Sequence, residues 1–189
     1  MLVFFIINVL EWQKNIRFFC GDESRFGLKT ITGKRITQRG VKPVGKVQWT
    51  FKATYLYGII EPATGESFFY EFTHCDTDSF QIFLELVSQE YPEDMIIIQL
   101  DNAGWHRAKR LKPPENIVLM FQPPHCPELN PIEQVWQYLK KRLRWQLPDT
   151  LDDLRLLIRE QLLMLEKETV ASIAGRKSIL EALSMLNLI

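Results

Sequence analysis

The sequence predicts a mixed α/β fold: an antiparallel meander of strands continued by parallel strands, with helices on both faces. Two observations lead there. Up to Phe72, aromatic and β-branched residues crowd into runs separated by turn formers. From Asp76 onward, apolar residues recur at helical spacing between short runs that are apolar at every position. A strand with no polar alternation is one covered on both faces.

The elements follow in order. Residues 16–22 read as a bulky apolar strand. Residues 46–60 read as a second, ending at the turn Glu61-Pro62-Ala63-Thr64-Gly65, with Ser67–Phe72 returning beside it. Phe80, Phe83, Leu84, Val87 and Tyr91 then mark a helix behind the capping candidates Asp76 and Asp78. Met95–Leu100 and Ile117–Phe121 are buried strands. Pro131 opens a helix whose stripe is Ile132, Val135, Trp136, Leu139 and Leu143. The capping-box pattern at Thr150 starts another helix to about Lys167, and a short helix follows Ser172. The resulting order is β-β-β-α-β-α-β-α-α. It lets the first strand lie parallel to the one after the long helix, with Asp22 and Asp101 at neighbouring carboxyl ends, where open α/β sheets place their sites.

Bulk properties narrow the class. The 189 residues suit one domain, and 46% apolar with 24% charged content is ordinary for a globular protein. Lys+Arg and Asp+Glu balance at 23 each. Their distribution is uneven, because Arg25, Lys29, Lys34, Arg35, Arg39, Lys42, Lys46 and Lys52 lie in a stretch without Asp or Glu. Cys20, Cys75 and Cys126 form no C-x-x-C, which argues for a reducing compartment and a cytoplasmic location. The apolar start lacks a basic flank and is too short to span a bilayer, so no membrane association is expected. The His74-Cys75 and His125-Cys126 pairs lack zinc-site spacing.

Three carboxylates carry the functional reading. Asp22 and Asp101 each end an apolar strand, and Glu133 opens a helix. A carboxylate at the edge of a buried element needs a partner or a metal. Singly, each has a structural explanation: a strand-ending turn for Asp22, an Asx turn for Asp101, a capping box with Asn130 for Glu133. Together, within Gly-Asp-Glu-Ser-Arg-Phe-Gly-Leu, Leu-Asp-Asn-Ala-Gly-Trp-His and Pro-Glu-Leu-Asn-Pro-Ile-Glu-Gln-Val-Trp, they resemble the catalytic domain of DDE-type transposases from bacterial insertion sequences related to the mariner elements.

The resemblance implies an RNase H-like fold and metal-dependent cleavage and strand transfer of DNA. Asp22, Asp101 and Glu133 would be the catalytic residues and the ligands of Mg²⁺ or Mn²⁺, two ions in all. It further implies DNA partners (element ends and target), a homodimer in the active complex, and no small-molecule substrate. The expected domains are a remnant or linker over 1–16, the catalytic domain over 17–168 and a helical tail over 169–189. Family members carry helix-turn-helix modules ahead of the first Asp, so selective recognition of element ends is not expected of residues 1–189 alone. Expected DNA contacts are Arg25, Lys34, Arg35 and Arg39 of the basic stretch, His106 beside Asp101, and Lys140, Lys141 and Arg144 on the polar face of the Glu133 helix. The alternatives are a non-catalytic DNA-binding remnant and an RNase H-like nuclease that does not transpose.

Overall fold

A computed structural model describes residues 15–34, 36–124 and 126–186 of the chain. Five strands form one sheet in the order β3-β2-β1-β4-β5. They are β1 (Asn15–Gly27), β2 (Ala53–Ile60), β3 (Ser67–Phe72), β4 (Asp94–Leu100) and β5 (Ile117–Phe121). β1 pairs antiparallel with β2 and parallel with β4; β2–β3 is antiparallel and β4–β5 parallel. The predicted mixed sheet is therefore present, with β1 at the junction of its two halves.

Alternation along the strands divides the core into two layers. Phe18, Cys20 and Ile97 face one side, where they meet α2 (Ile132–Arg142), α3 (Leu151–Leu163), α4 (Lys167–Ala174) and α5 (Lys177–Met185). Phe19, Ile96 and Ile98 face the other, against α1 (Thr77–Glu90). Helices thus cover both faces, as the wholly apolar strands require. Val170 and Ala174 of α4 are fully buried, so the carboxy-terminal helices share the core of the Phe18–Ile97 layer.

Several boundaries differ from the sequence reading. β1 does not stop at Asp22 but runs 13 residues to Gly27, because β2 continues to pair with it. Residues 46–52 are not strand; beyond Gly27–Ala53 the legs of the β1–β2 connection are linked by the bonds Leu28 N–Lys52 O and Thr30 N–Gln48 O and by Gln48 N to Thr30 Oγ1. The expected helix between β4 and β5 is absent among the described residues. Asn102, Gly104, Pro113 and Pro114 belong to turns and irregular backbone there, as their turn chemistry favours. The helix from Thr150 closes its capping box with Asp153 but ends at Leu163, and a new helix starts at Lys167. Asp76, not Asp78, caps α1 by accepting from Ser79 N at 2.8 Å. No helix among the described residues is long and apolar enough to cross a membrane.

Candidate active site

The site arises where two neighbouring strands have unequal lengths. Parallel pairing of β1 with β4 ends at Cys20–Gln99, and β4 itself ends at Leu100. Asp22 and Asp101 each lie two residues beyond that last pair. Asp22 keeps its antiparallel partner, Gly58, on one side and has no parallel neighbour on the other. Asp22 is therefore a mid-strand residue at the end of the parallel half, not a strand terminus.

The gap is a cleft of about 400 Å³ lined by Asp22, Asp101, Asn130 and Glu133, with Asn102, Gln122 and Cys126 among the other walls. Glu133 enters from the first turn of α2. The capping box expected there does not form. Pro131 occupies the cap position without a side-chain bond, and the Asn130 side chain turns away to donate from Nδ2 to the Gly21 carbonyl at 2.9 Å. Glu133 contributes its backbone N–H to Asn130 O, and among the described residues its carboxylate makes no hydrogen bond or ion pair. The Asn130 amide clamps the start of α2 to β1, which fixes the Glu133 wall of the cleft against the Asp22 wall.

Each aspartate is held by a ring nitrogen. Trp136, on the inward face of α2, donates from Nε1 to Asp22 Oδ2 at 2.9 Å. Its ring is seated by Phe69 and Phe26, with centroids at 5.7 and 6.4 Å. Gly58 makes that seat possible: a Cβ there would lie 2.6 Å from Phe69 and 2.8 Å from Trp136. Asp101 Oδ1 accepts from His106 Nδ1 and from Ala103 N, both at 2.9 Å.

Electrostatics separates the two aspartates. Burial, then the charges of Glu23 and Glu133, raise the Asp22 carboxyl to about 8 despite the Trp136 bond. The His106 hydrogen bond holds Asp101 below its ordinary value against a smaller opposing effect of burial. Burial alone would depress His106, but its bonds to Asp101 and Glu23 overcome this and hold it at about 9. The two carboxylates favour the protonated ring; its Nε2 lies 2.9 Å from Glu23 Oε1 and also 3.1 Å from the Trp105 indole N–H.

Hard oxygen donors facing one cleft, one of them starved of positive charge, suit a divalent cation such as Mg²⁺ in kind. Among the described residues no three His, Cys, Asp or Glu side chains already stand as a metal-holding group. Like-charged carboxylates repel one another without a cation between them.

The expected DNA contacts divide. Arg25, Lys34, Arg39, Lys141 and Arg144 are exposed, and Lys140 is half-buried with Nζ 5.7 Å from the centre of the Phe26 ring. Arg25 directs one guanidinium nitrogen to the Phe51 carbonyl at 2.8 Å. Arg35 lies outside the described residues. His106 is a correction: at 1% exposure it is sealed inside, and its ring lies 4.4 Å from that of Phe80 on α1. A side chain engaged by two carboxylates in the interior cannot meet a phosphate backbone. Sequence reasoning also misses Glu23, Asn130 and Trp136. Trp136 reads from its spacing only as core; the signal is its place one turn after Glu133, which puts both on neighbouring faces of the helix.

Comparison with known proteins is consistent with this geometry. Residues 17–155 match the model of the family described as DDE superfamily endonuclease. A stretch of 87 residues is 39% identical to the uncharacterized protein y4pE/y4sA of Sinorhizobium fredii, covering 46% of this chain and 64% of that protein. Among solved structures, the Mos1 strand transfer complex superposes with a TM-score of 0.65 at 16% identity, covering 84% of this chain and 50% of that one. The mariner Mos1 paired-end complex with Mg gives 0.64 at 16% identity, covering 84% and 51%. The chain therefore spans about half the length of these structures, and the likeness shows that the fold is RNase H-like.

Proposed function

Since the chain belongs to the DDE superfamily endonucleases, we propose that its cleft performs metal-dependent cleavage of DNA strands and their transfer to a target, as the catalytic part of an insertion-sequence transposase. The observation that carries this reading is the convergence of Asp22, Asp101 and Glu133 on one cleft at the end of the parallel half of the sheet. The Mos1 neighbours include complexes with a transposon end and with Mg or Mn, which supports DNA and divalent ions as ligands here. A homodimer fits a paired-end assembly of the same kind.

Asp22, Asp101 and Glu133 would hold Mg²⁺ or Mn²⁺, two ions in all. When bound, such ions activate a water or a 3′-hydroxyl and stabilise the leaving oxygen. The protein's own work is placement. Trp136 fixes one oxygen of Asp22 and His106 one oxygen of Asp101, leaving the other of each for the cleft. Asn130 locks α2 to β1. Such a reaction would not require a nucleophilic Ser or Cys, and no covalent protein–DNA intermediate is implied. Lys34, Arg39, Lys140, Lys141 and Arg144 would carry the phosphate backbone.

The test is nicking of supercoiled plasmid in Mg²⁺ or Mn²⁺, followed by joining of precut ends to target DNA. Asp101→Asn keeps the shape of the side chain and removes its charge. Losing several kcal/mol of charge stabilisation should cut the rate by about a thousandfold or more. Unchanged nicking by Asp101→Asn would place the chemistry elsewhere. Cleavage without joining would reduce the function to that of a nuclease.

A further inference from the structure

Glu23 is a charged residue for which the proposed chemistry has no use. It follows Asp22 on β1, and the strand's alternation sends the two side chains to opposite faces. The Glu23 side chain is 4% exposed and does not line the cleft. Its partners are His106 Nε2, 2.9 Å from Oε1, and Trp105 Nε1, 3.3 Å from Oε2. His106, whose side chain is wholly buried, reaches Asp101 Oδ1 with its other nitrogen. A continuous chain of hydrogen bonds therefore runs from Glu23, through one ring, to a carboxylate that is 46% exposed at the cleft.

A buried ion pair is weak evidence for stability, since an apolar pair of similar size holds a core as well or better. This one has a feature that stability does not require: it ends on Asp101. With Ala103 N and His106 Nδ1 both on Oδ1, no rotation of the Asp101 carboxylate keeps these bonds and moves Oδ2. Removing Glu23 takes away one of the two carboxylates that hold the ring, and the ring is one of the two donors that hold Asp101. We propose that Glu23 is a positioning residue that acts through His106 to aim the unbonded oxygen of Asp101 into the cleft. The proposal rests on the assignment of Asp101 as a metal ligand.

The experiment measures Mn²⁺ binding to the whole chain by calorimetry and by electron paramagnetic resonance, without DNA, beside thermal melting and nicking across a Mn²⁺ series. Partners that orient a metal ligand are worth roughly 10- to 100-fold in metal affinity. Glu23→Ala should weaken Mn²⁺ binding by that order, and Glu23→Gln, which keeps an oxygen for His106 Nε2–H, should recover part of it. Nicking by both variants should return toward the wild-type rate as Mn²⁺ is raised, with KM for DNA unchanged. A lowered melting temperature with an unchanged Mn²⁺ midpoint would overturn the proposal and leave a structural ion pair. If Glu23→Ala fails to fold, Glu23→Gln decides by the same criterion. Wild-type protein that binds no Mn²⁺ would overturn both the proposal and the metal role of Asp101. Loss of binding in Asp101→Asn with none in either Glu23 variant would overturn the proposal alone.

Discussion

The cleft and the β1–β2 connection are built in opposite ways, one enclosed and held, the other exposed and basic. In the cleft, a buried ring nitrogen holds each aspartate, and a buried amide clamps the helix that bears Glu133. The connection from Leu28 to Lys52 is instead exposed along most of its length, with Trp49 at 65% and Phe51 at 71% exposure. Its contacts are loose: Lys29 Nζ stands 4.5 Å from the centre of the Trp49 ring, and a few hydrogen bonds near its base tie its legs. Chemistry needs carboxylates held to fractions of an ångström, whereas attraction to phosphate needs only charge at the surface. If the proposed function holds, the contrast implies that cleavage and DNA affinity are separable by mutation.

Among changes that replace no carboxylate, the largest effect should come from Gly58→Val. The new side chain must displace Phe69 or Trp136, and Trp136 holds Asp22. Overpacking of this kind costs about 1–3 kcal/mol of stability. Nicking should fall at least tenfold at a temperature where the variant remains folded, with DNA affinity preserved. Equal nicking would show that the seat of Trp136 is irrelevant to the chemistry. The converse is charge reversal in the exposed connection, Lys34→Glu with Arg39→Glu. Affinity for any duplex should drop and the salt slope flatten by about two, one for each phosphate no longer neutralised, while the nicking rate of bound DNA stays near wild type. A binding titration at three salt concentrations decides it; an unchanged slope would make this stretch a mere solvated loop.

The smallest effect concerns pH without metal. The carboxyl of Asp22 is raised to about 8 from an ordinary value of 3.8. Between those values the folded protein retains a proton that the unfolded chain has released. Its contribution to stability is therefore fully present below pH 4 and disappears as pH rises toward 8. Melting temperature in chelator should decline across that window more for wild type than for Asp22→Asn. Parallel curves would mean that the site tolerates the bare charge.

The chain's pattern is legible wherever one periodicity rules. Ser67–Phe72, Ile117–Phe121 and the capped start at Thr150 lie where residue type places them, since alternation, apolar runs and capping are local signals. The three carboxylates are legible through their motifs, and they do share a cleft. What cannot be read is pairing at a distance. Residues 46–52 have strand composition but no strand to join, because β1 ends at Gly27. Asn130 and Glu133 spell a capping box, yet the Gly21 carbonyl, far away in sequence, takes the Asn130 amide instead. His106 sits beside the Asp101 motif, which suggests contact with substrate, but Glu23 draws it inward. In each case a tertiary partner prevails over a local one.

The register of β1 against β4 has a consequence of parity. Side chains alternate along a strand, so two residues on adjacent parallel strands face the same way only if they stand equally many steps, modulo two, from a shared pair. Asp22 and Asp101 are both two steps from Cys20–Gln99. A single residue inserted or deleted between Gln99 and Asp101 would turn Asp101 toward the opposite face, and one between Cys20 and Asp22 would turn Asp22 together with the rest of β1 that pairs with β2 as far as Gly27. The site thus depends on an integer as well as on its side chains: of the small length changes the ends of these strands could accept, only even ones keep both carboxylates on the cleft side.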